Sequence, residues 1–247
     1  DAKGIGPFIW ASLEMEQMGY DADNVMSAID RQAVVERHNP VGMQASPLSS
    51  LTVGNGHFCT TVDVTGLQSF PFEYEAGVPL TAMSDWGWHK FENTSGLTPV
   101  ESQKSFDLGH GHQEVYAVEY KAPSAGVSER NVEATKYFRV NPHRLNLGAI
   151  GLDMSDATGR KIALTDLSDI RQELKLYDGV IESHYVADGQ PVDVTTAALQ
   201  DRDAVIYRIK SPLLKGGRAR VAIRFPYPTG KHADAAADWN QPERHTS

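Results

Sequence analysis

Asp85-Trp86-Gly87-Trp88-His89 gathers more groups able to do chemistry than any other stretch of the chain. Two indoles flanking a glycine on a loop can stack on the apolar face of a pyranose, with Asp85 and His89 hydrogen-bonding its hydroxyls. A hexose has an apolar face and a polar rim, and tryptophan offers an apolar body with one donor. Asp85, Trp86, Trp88 and His89 are therefore the candidate substrate-binding residues. The competing reading buries both indoles in a core or between domains, where tryptophan usually sits.

Glycoside hydrolysis needs two carboxyl groups, one acting as acid and the other as base or nucleophile. Asp63, Glu73, Glu75, Asp85, Glu182 and Asp203 are available, but their spacing pairs no two of them across a cleft. No catalytic residue is assigned. His110-Gly111-His112 places two imidazoles on one face of an extended chain, which is metal-ligand spacing, with only Asp107 and Glu114 nearby as further ligands. A glycine-rich loop with solvated histidines is the better reading, and neither metal nor cofactor is expected. The sequence contains no G-x-S-x-G elbow, P-loop, H-E-x-x-H or C-x-x-C. Asn93-Thr94-Ser95 fits the N-glycosylation pattern, which matters only in a eukaryotic secretory setting.

The elements that position these residues are mostly strands. In Pro47-Leu48-Ser49-Ser50-Leu51-Thr52-Val53-Gly54-Asn55-Gly56-His57-Phe58, alternating Leu51 and Val53 lead into Gly-Asn-Gly turn chemistry. A second strand follows, with Phe58, Thr60 and Val62 on one face and Cys59, Thr61 and Asp63 on the other. Residues 115–120, 137–140 and 145–152 read as further strands. Asp188-Gly189 between residues 180–187 and 192–198 predicts a hairpin. Val205, Tyr207 and Ile209, then Val221, Ile223 and Phe225, give two later strands one apolar face each, with Arg208, Lys210, Arg220 and Arg224 opposite. Many short strands with Gly/Pro turns predict a mainly β protein, an antiparallel β-sandwich.

Three regions organise the chain. Residues 1–20 hold a helix over 7–19, with Pro7 in its first turn, Gly19 as C-cap, and Phe8, Ile9, Trp10, Leu13 and Met18 on a wide apolar side. Residues 21–43 are a connector in which residues 27–38 hold a short helix with Ile29, Ala33 and Val34 inward, ended by Asn39-Pro40. Residues 44–247 form the β-domain. At 247 residues, 40% hydrophobic and 22% charged, this is an ordinary globular composition. A net charge of −9 argues against nucleic acid or an anionic membrane as partner. The apolar runs are too short to span a bilayer. Cys59 is alone, so no intrachain disulfide forms.

Several of these stretches, taken in order, resemble a known family. Gly54-Asn55-Gly56, then Leu174-Lys175-Leu176-Tyr177-Asp178-Gly179-Val180-Ile181-Glu182-Ser183, Asp201-Arg202-Asp203-Ala204-Val205 and Ile209-Lys210-Ser211 are similar to the β-sandwich of glycoside hydrolase family 65 and its relatives. The match covers roughly residues 40 to 230. It implies a large galactose-mutarotase-like sandwich that accompanies an (α/α)6 catalytic barrel, braces it and lends one loop to a sugar subsite. The general acid of such enzymes lies in the barrel, so the resemblance assigns none here. It implies a carbohydrate substrate, a periplasmic or secreted location, and a β-domain that continues past the last residue. Residues 4–19 weakly resemble the end of a family 88 or 105 barrel; a single helix packed on the sandwich is the other reading. A stand-alone carbohydrate-binding module and an aldose-epimerase-like enzyme are the alternatives.

Overall fold

The structure, a computed structural model, describes residues 29–231 and 233–244. The helix expected over 7–19 lies outside them. The chain divides into two compact units, residues 1–38 and 39–247.

In the first unit the described element is the helix Arg31–Glu36, capped by Asp30, whose side chain accepts from the Ala33 amide. None of its residues is buried, and Ile29, Ala33 and Val34 are exposed. The inward face expected for them is corrected. A helix of under two turns has no continuous stripe to bury.

The second unit is mainly β and antiparallel. Strands β1 (Val41–Gly42), β10 (Ser168–Lys175), β11 (Val180–Ala187), β12 (Gln190–Ala198) and β13 (Val205–Lys210) form one sheet in the order β1-β10-β11-β12-β13. β2 (Leu51–Gly54), β3 (Phe58–Val62) and β4 (Ala82–Ser84) form a second. Three two-stranded pairs complete the set: β5 (Trp88–His89) with β8 (His143–Arg144), β6 (Gln103–Gly109) with β7 (His112–Ala117), and β9 (Ala149–Met154) with β14 (Ala219–Arg224).

Both hairpins expected from turn chemistry are present. Leu51 pairs with Val62 across Gly54-Asn55-Gly56, and Ala187 pairs with Gln190 across Asp188-Gly189. Asp188 and Gly189 have φ of 46° and 68°, the left-handed conformation that a two-residue hairpin loop requires. The strand expected at 137–140 is instead the last turn of the helix Glu129–Val140. Ser128 caps it reciprocally with Asn131, and good helix formers fill the turns between. The alternation of Tyr137-Phe138-Arg139-Val140 is too short to outweigh that start signal.

The main core lies between the large sheet and β9–β14. Tyr185, Val192 and Val194 meet Leu152, Met154 and Ala219, together with Val64, Leu67, Phe70 and Tyr74. Residues 60–71 are buried without interruption, although residues 63–70 form no strand. A buried loop is tolerated only when its polar groups find partners. Asp63 supplies them: its carboxylate accepts from the amides of Thr65, Ser69 and Phe70, each at 2.8 Å, and from the Thr65 hydroxyl. Gln172 donates to the Asp63 carbonyl at 2.7 Å, and Thr196 donates to that of Gly66. Gln68 bridges the Thr61 carbonyl and the Ile150 amide. This segment lies against β9 so closely that a Cβ on Gly151 would sit 2.5 Å from the Gln68 carbonyl oxygen.

Among the described residues, one side of the sandwich is open. β13 and β14 each end a sheet, and they are joined through the short helix Pro212–Lys215. Val221 and Ile223 lie opposite Leu152 and Ile150, on the face that Leu152 turns to the core. They are nevertheless 54% and 61% exposed, and Phe225 is 65% exposed. The apolar face expected on this strand exists and is largely exposed. No helix among the described residues is long and apolar enough to cross a membrane.

Candidate functional site

Three loops meet at one end of the second unit: the β2–β3 turn, the β4–β5 connection and residues 199–204 between β12 and β13. Asn55 ties the first to the third. Its Oδ1 accepts from the amides of His57 at 3.0 Å and Phe58 at 2.8 Å, which closes its own turn. Its Nδ2 donates across to Asp203 Oδ1 at 3.0 Å and to the Arg202 carbonyl at 3.2 Å. Gly56, at φ +95°, supplies the backbone conformation that lets the turn close so tightly.

The second loop joins through two side chains. Trp86 donates its indole N–H to Asp203 Oδ2 at 2.7 Å. Asp85 Oδ2 lies 2.6 Å from His57 Nδ1, and the Asp85 amide donates to the His57 carbonyl at 2.9 Å. Arg144 holds the loop from behind by donating to the carbonyls of Ser84 and Asp85. Gly87 is buried where a Cβ would lie 2.6 Å from Leu147 Cδ2, so no larger residue fits without displacing its neighbour.

The electrostatics follow from these contacts. The hydrogen bond and charge of Asp85 raise the His57 pKa above the ordinary 6.5, with a further contribution from Asp203. Asn55 and Trp86 hold the Asp203 carboxyl below the usual carboxylate range, with the His57 charge assisting. At neutral pH the cluster therefore carries ionised Asp203 beside a readily protonated imidazole. These groups face water: the side chains of His57 and Asp85 are 72% and 52% exposed. Trp86 is 59% exposed and Trp88 48%. An open indole among fixed donors and acceptors suits a polyol better than an apolar ligand.

Of the four residues expected from sequence, Asp85 and Trp86 enter this cluster directly. Trp88 and His89 lie on β5, opposite Arg144 and His143, and His89 packs edge-on against Phe91 with ring centroids 4.7 Å apart. Sequence reasoning did not assign Asn55 or His57 to a site and left Asp203 among unpaired carboxylates. The available signal was the Gly-Asn-Gly turn, which marked Asn55 as a conformational residue without showing what its amide would reach. Asp63 is core, Glu182 pairs with Lys175 at 2.7 Å, and His110 and His112 sit at the exposed β6–β7 turn. No group of three or more His, Cys, Asp or Glu arranged to hold a metal occurs among the described residues.

Fold and site together define a mainly β, antiparallel domain that carries an aromatic–carboxylate cluster on the loops at one end. No protein-family model matches the chain, and no curated protein matches it.

Proposed function

We propose that this chain is the non-catalytic, galactose-mutarotase-like sandwich of a family 65-type glycoside hydrolase, and that its loop end binds the sugar beside an (α/α)6 barrel. The observation that carries the reading is Trp86: its ring is exposed while its N–H is fixed on Asp203, next to the His57–Asp85 pair. A ring held in place can stack on a sugar without first losing rotamer freedom, so more of the contact energy is kept as affinity. The surrounding groups offer both acceptors and donors to hydroxyls at the ring's rim.

The test is titration of the chain with neutral oligosaccharides, followed by tryptophan fluorescence and amide NMR shifts. Saturable binding that perturbs Asn55, His57, Trp86 and Asp203 is expected, weakened about tenfold or more in Trp86→Ala. Absence of shifts at these residues across a broad panel, or unchanged affinity in Trp86→Ala, overturns the assignment.

A further inference from the structure

A second cluster of charged side chains lies away from the loops just described. Asp188, in the β11–β12 turn, marks its end of the sandwich, whereas Asp203 follows the other end of β12. That strand has nine residues, so the two places are on the order of 30 Å apart. Here Lys161, Arg218, Arg220 and Arg224 line one cavity of about 400 Å³ together with Asp153.

Period two explains the convergence. Positions 218, 220, 222 and 224 lie on one face of the β14 chain, away from the face of Val221 and Ile223, so three arginines share it. Arg220 stands directly opposite Asp153 in the strand pair. Lys161 is brought alongside by the Ser155–Lys161 bridge, which closes a loop that Asp156 ties by accepting from the amides of Thr158 and Arg160.

The carboxylates nearby only partly neutralise these cations. Asp188 takes Arg218, and Asp153 takes Arg224 through its Nη2. Glu73 lines the adjoining cavity, which shares Lys161 and Arg224. Lys161 and Arg220 carry no ion pair among the described residues. The second guanidinium arm of Arg224, Nη1, is buried with no hydrogen-bond partner among the described residues, while the rest of the side chain is partly exposed. A buried charged donor without an acceptor is an expensive thing to keep in a fold. Guanidinium groups present paired donors that match the oxygens of carboxylate, sulfate or phosphate.

We propose that this groove is an oxyanion site, taking one carboxylate, sulfate or phosphate group of a small acidic ligand between Lys161, Arg220 and Arg224. The cations stand together in one open groove on a chain of net charge −9, which fits a single anionic group and not an extended polyanion. The proposal is independent of the sugar-binding reading of the loop end.

The experiment is NMR and calorimetric titration of the whole chain with sodium sulfate and with glucuronate, at constant ionic strength, with glucose as the neutral control. Saturable millimolar binding is expected, with shifts confined to residues 155–161 and 217–224 and none at Asn55 or Trp86. Lys161→Gln with Arg220→Gln should weaken binding about tenfold or more, because each removes a charge-assisted contact. Both side chains are exposed, so the melting temperature should hold. Tighter binding of glucuronate assigns the anion to an acidic sugar, and tighter binding of sulfate assigns it to a free ion; both support the site. No saturation with either anion, equal binding of glucose, or unchanged affinity in the double variant overturns it.

Discussion

Trp86 and Asp203 are 117 positions apart in the chain, and the indole N–H of one meets a carboxylate oxygen of the other at 2.7 Å. That bond joins two loops belonging to different sheets and leaves the indole ring in water. Replacing Trp86 by Ala should therefore remove little packing. The expected loss in stability is about 1.5 kcal/mol, the low end for a hydrogen bond to an ionised group because the pair faces water, whereas a core tryptophan would cost about 3–5 kcal/mol. Chemical denaturation measures the difference. Acrylamide should also quench the Trp86 emission in the folded state.

His57 gives a titration readout of the same cluster. Asp85 and Asp203 favour its protonated form, so its midpoint should lie above 6.5. Asp85→Asn should bring the midpoint down, because it removes the strongest partner. The stabilisation from this pair is fully present below pH 6.5 and is lost as pH rises through the higher folded-state midpoint. Imidazole NMR shifts against pH give both values. A midpoint unchanged by Asp85→Asn would show that the pair does not form.

Asp63 is the opposite case, a buried carboxyl on which a loop is folded. Burial pushes its pKa up to about 6, against the pull of the Thr65 hydroxyl and three amides. A carboxyl raised in this way binds its proton more tightly when folded, so its contribution to stability falls as pH rises from about 4 to about 6. Asp63→Asn should flatten the pH dependence over that window. Asp63→Ala should cost about 3–5 kcal/mol at neutral pH, because three buried amides lose their acceptor. Urea unfolding at pH 4 and pH 7 tests both.

Gly151→Ala probes the contact between that loop and β9. The added Cβ would meet the Gln68 carbonyl oxygen at 2.5 Å and the Ser69 Cα at 2.8 Å, both backbone atoms that cannot swing away. A loss of about 1–3 kcal/mol is expected, as for other overpacked cores.

The chain by itself should show no glycosidase turnover on aryl glycosides or oligosaccharides, since the proposed family places its general acid in the barrel. Turnover abolished by Asp203→Ala or by His57→Ala would reverse that expectation and make this loop end an active site.

How much of this was readable beforehand depended on sequence distance. Asn55-Gly56 and Asp188-Gly189 declared their hairpins because the turn residues are local. Trp86 was recognisable as a candidate because its neighbours Asp85 and Gly87 are adjacent. Its partner Asp203 was not, and neither was the reach of Asn55 to Asp203 across 148 positions. The buried loop of residues 63–70 was invisible for the same reason: Gln172 and Thr196, which complete its hydrogen bonding, lie more than a hundred positions away. At 137–140 the local alternation of four residues points to a strand, whereas the Ser128 cap upstream sets the helix that includes them.

The open side of the sandwich bears on how the chain behaves in a tube. Among the described residues, β13 and β14 each pair on one side only, beside exposed Val221 and Ile223, an arrangement that invites strand-to-strand accretion. Exposed Arg208 and Lys210 on β13 and Arg220 on β14 put positive charge on the strands at both edges, which opposes edge-to-edge approach of copies at low ionic strength. Salt removes that protection: the screening length shrinks from about 10 Å at 0.1 M to about 3 Å at 1 M. Sulfate would in addition strengthen apolar association. Colloidal stability should thus decline with added salt, opposite to the familiar salting-in of acidic proteins. Static light scattering across an ammonium sulfate series would register it as a second virial coefficient crossing from positive to negative, and Arg208→Glu would move the crossing point.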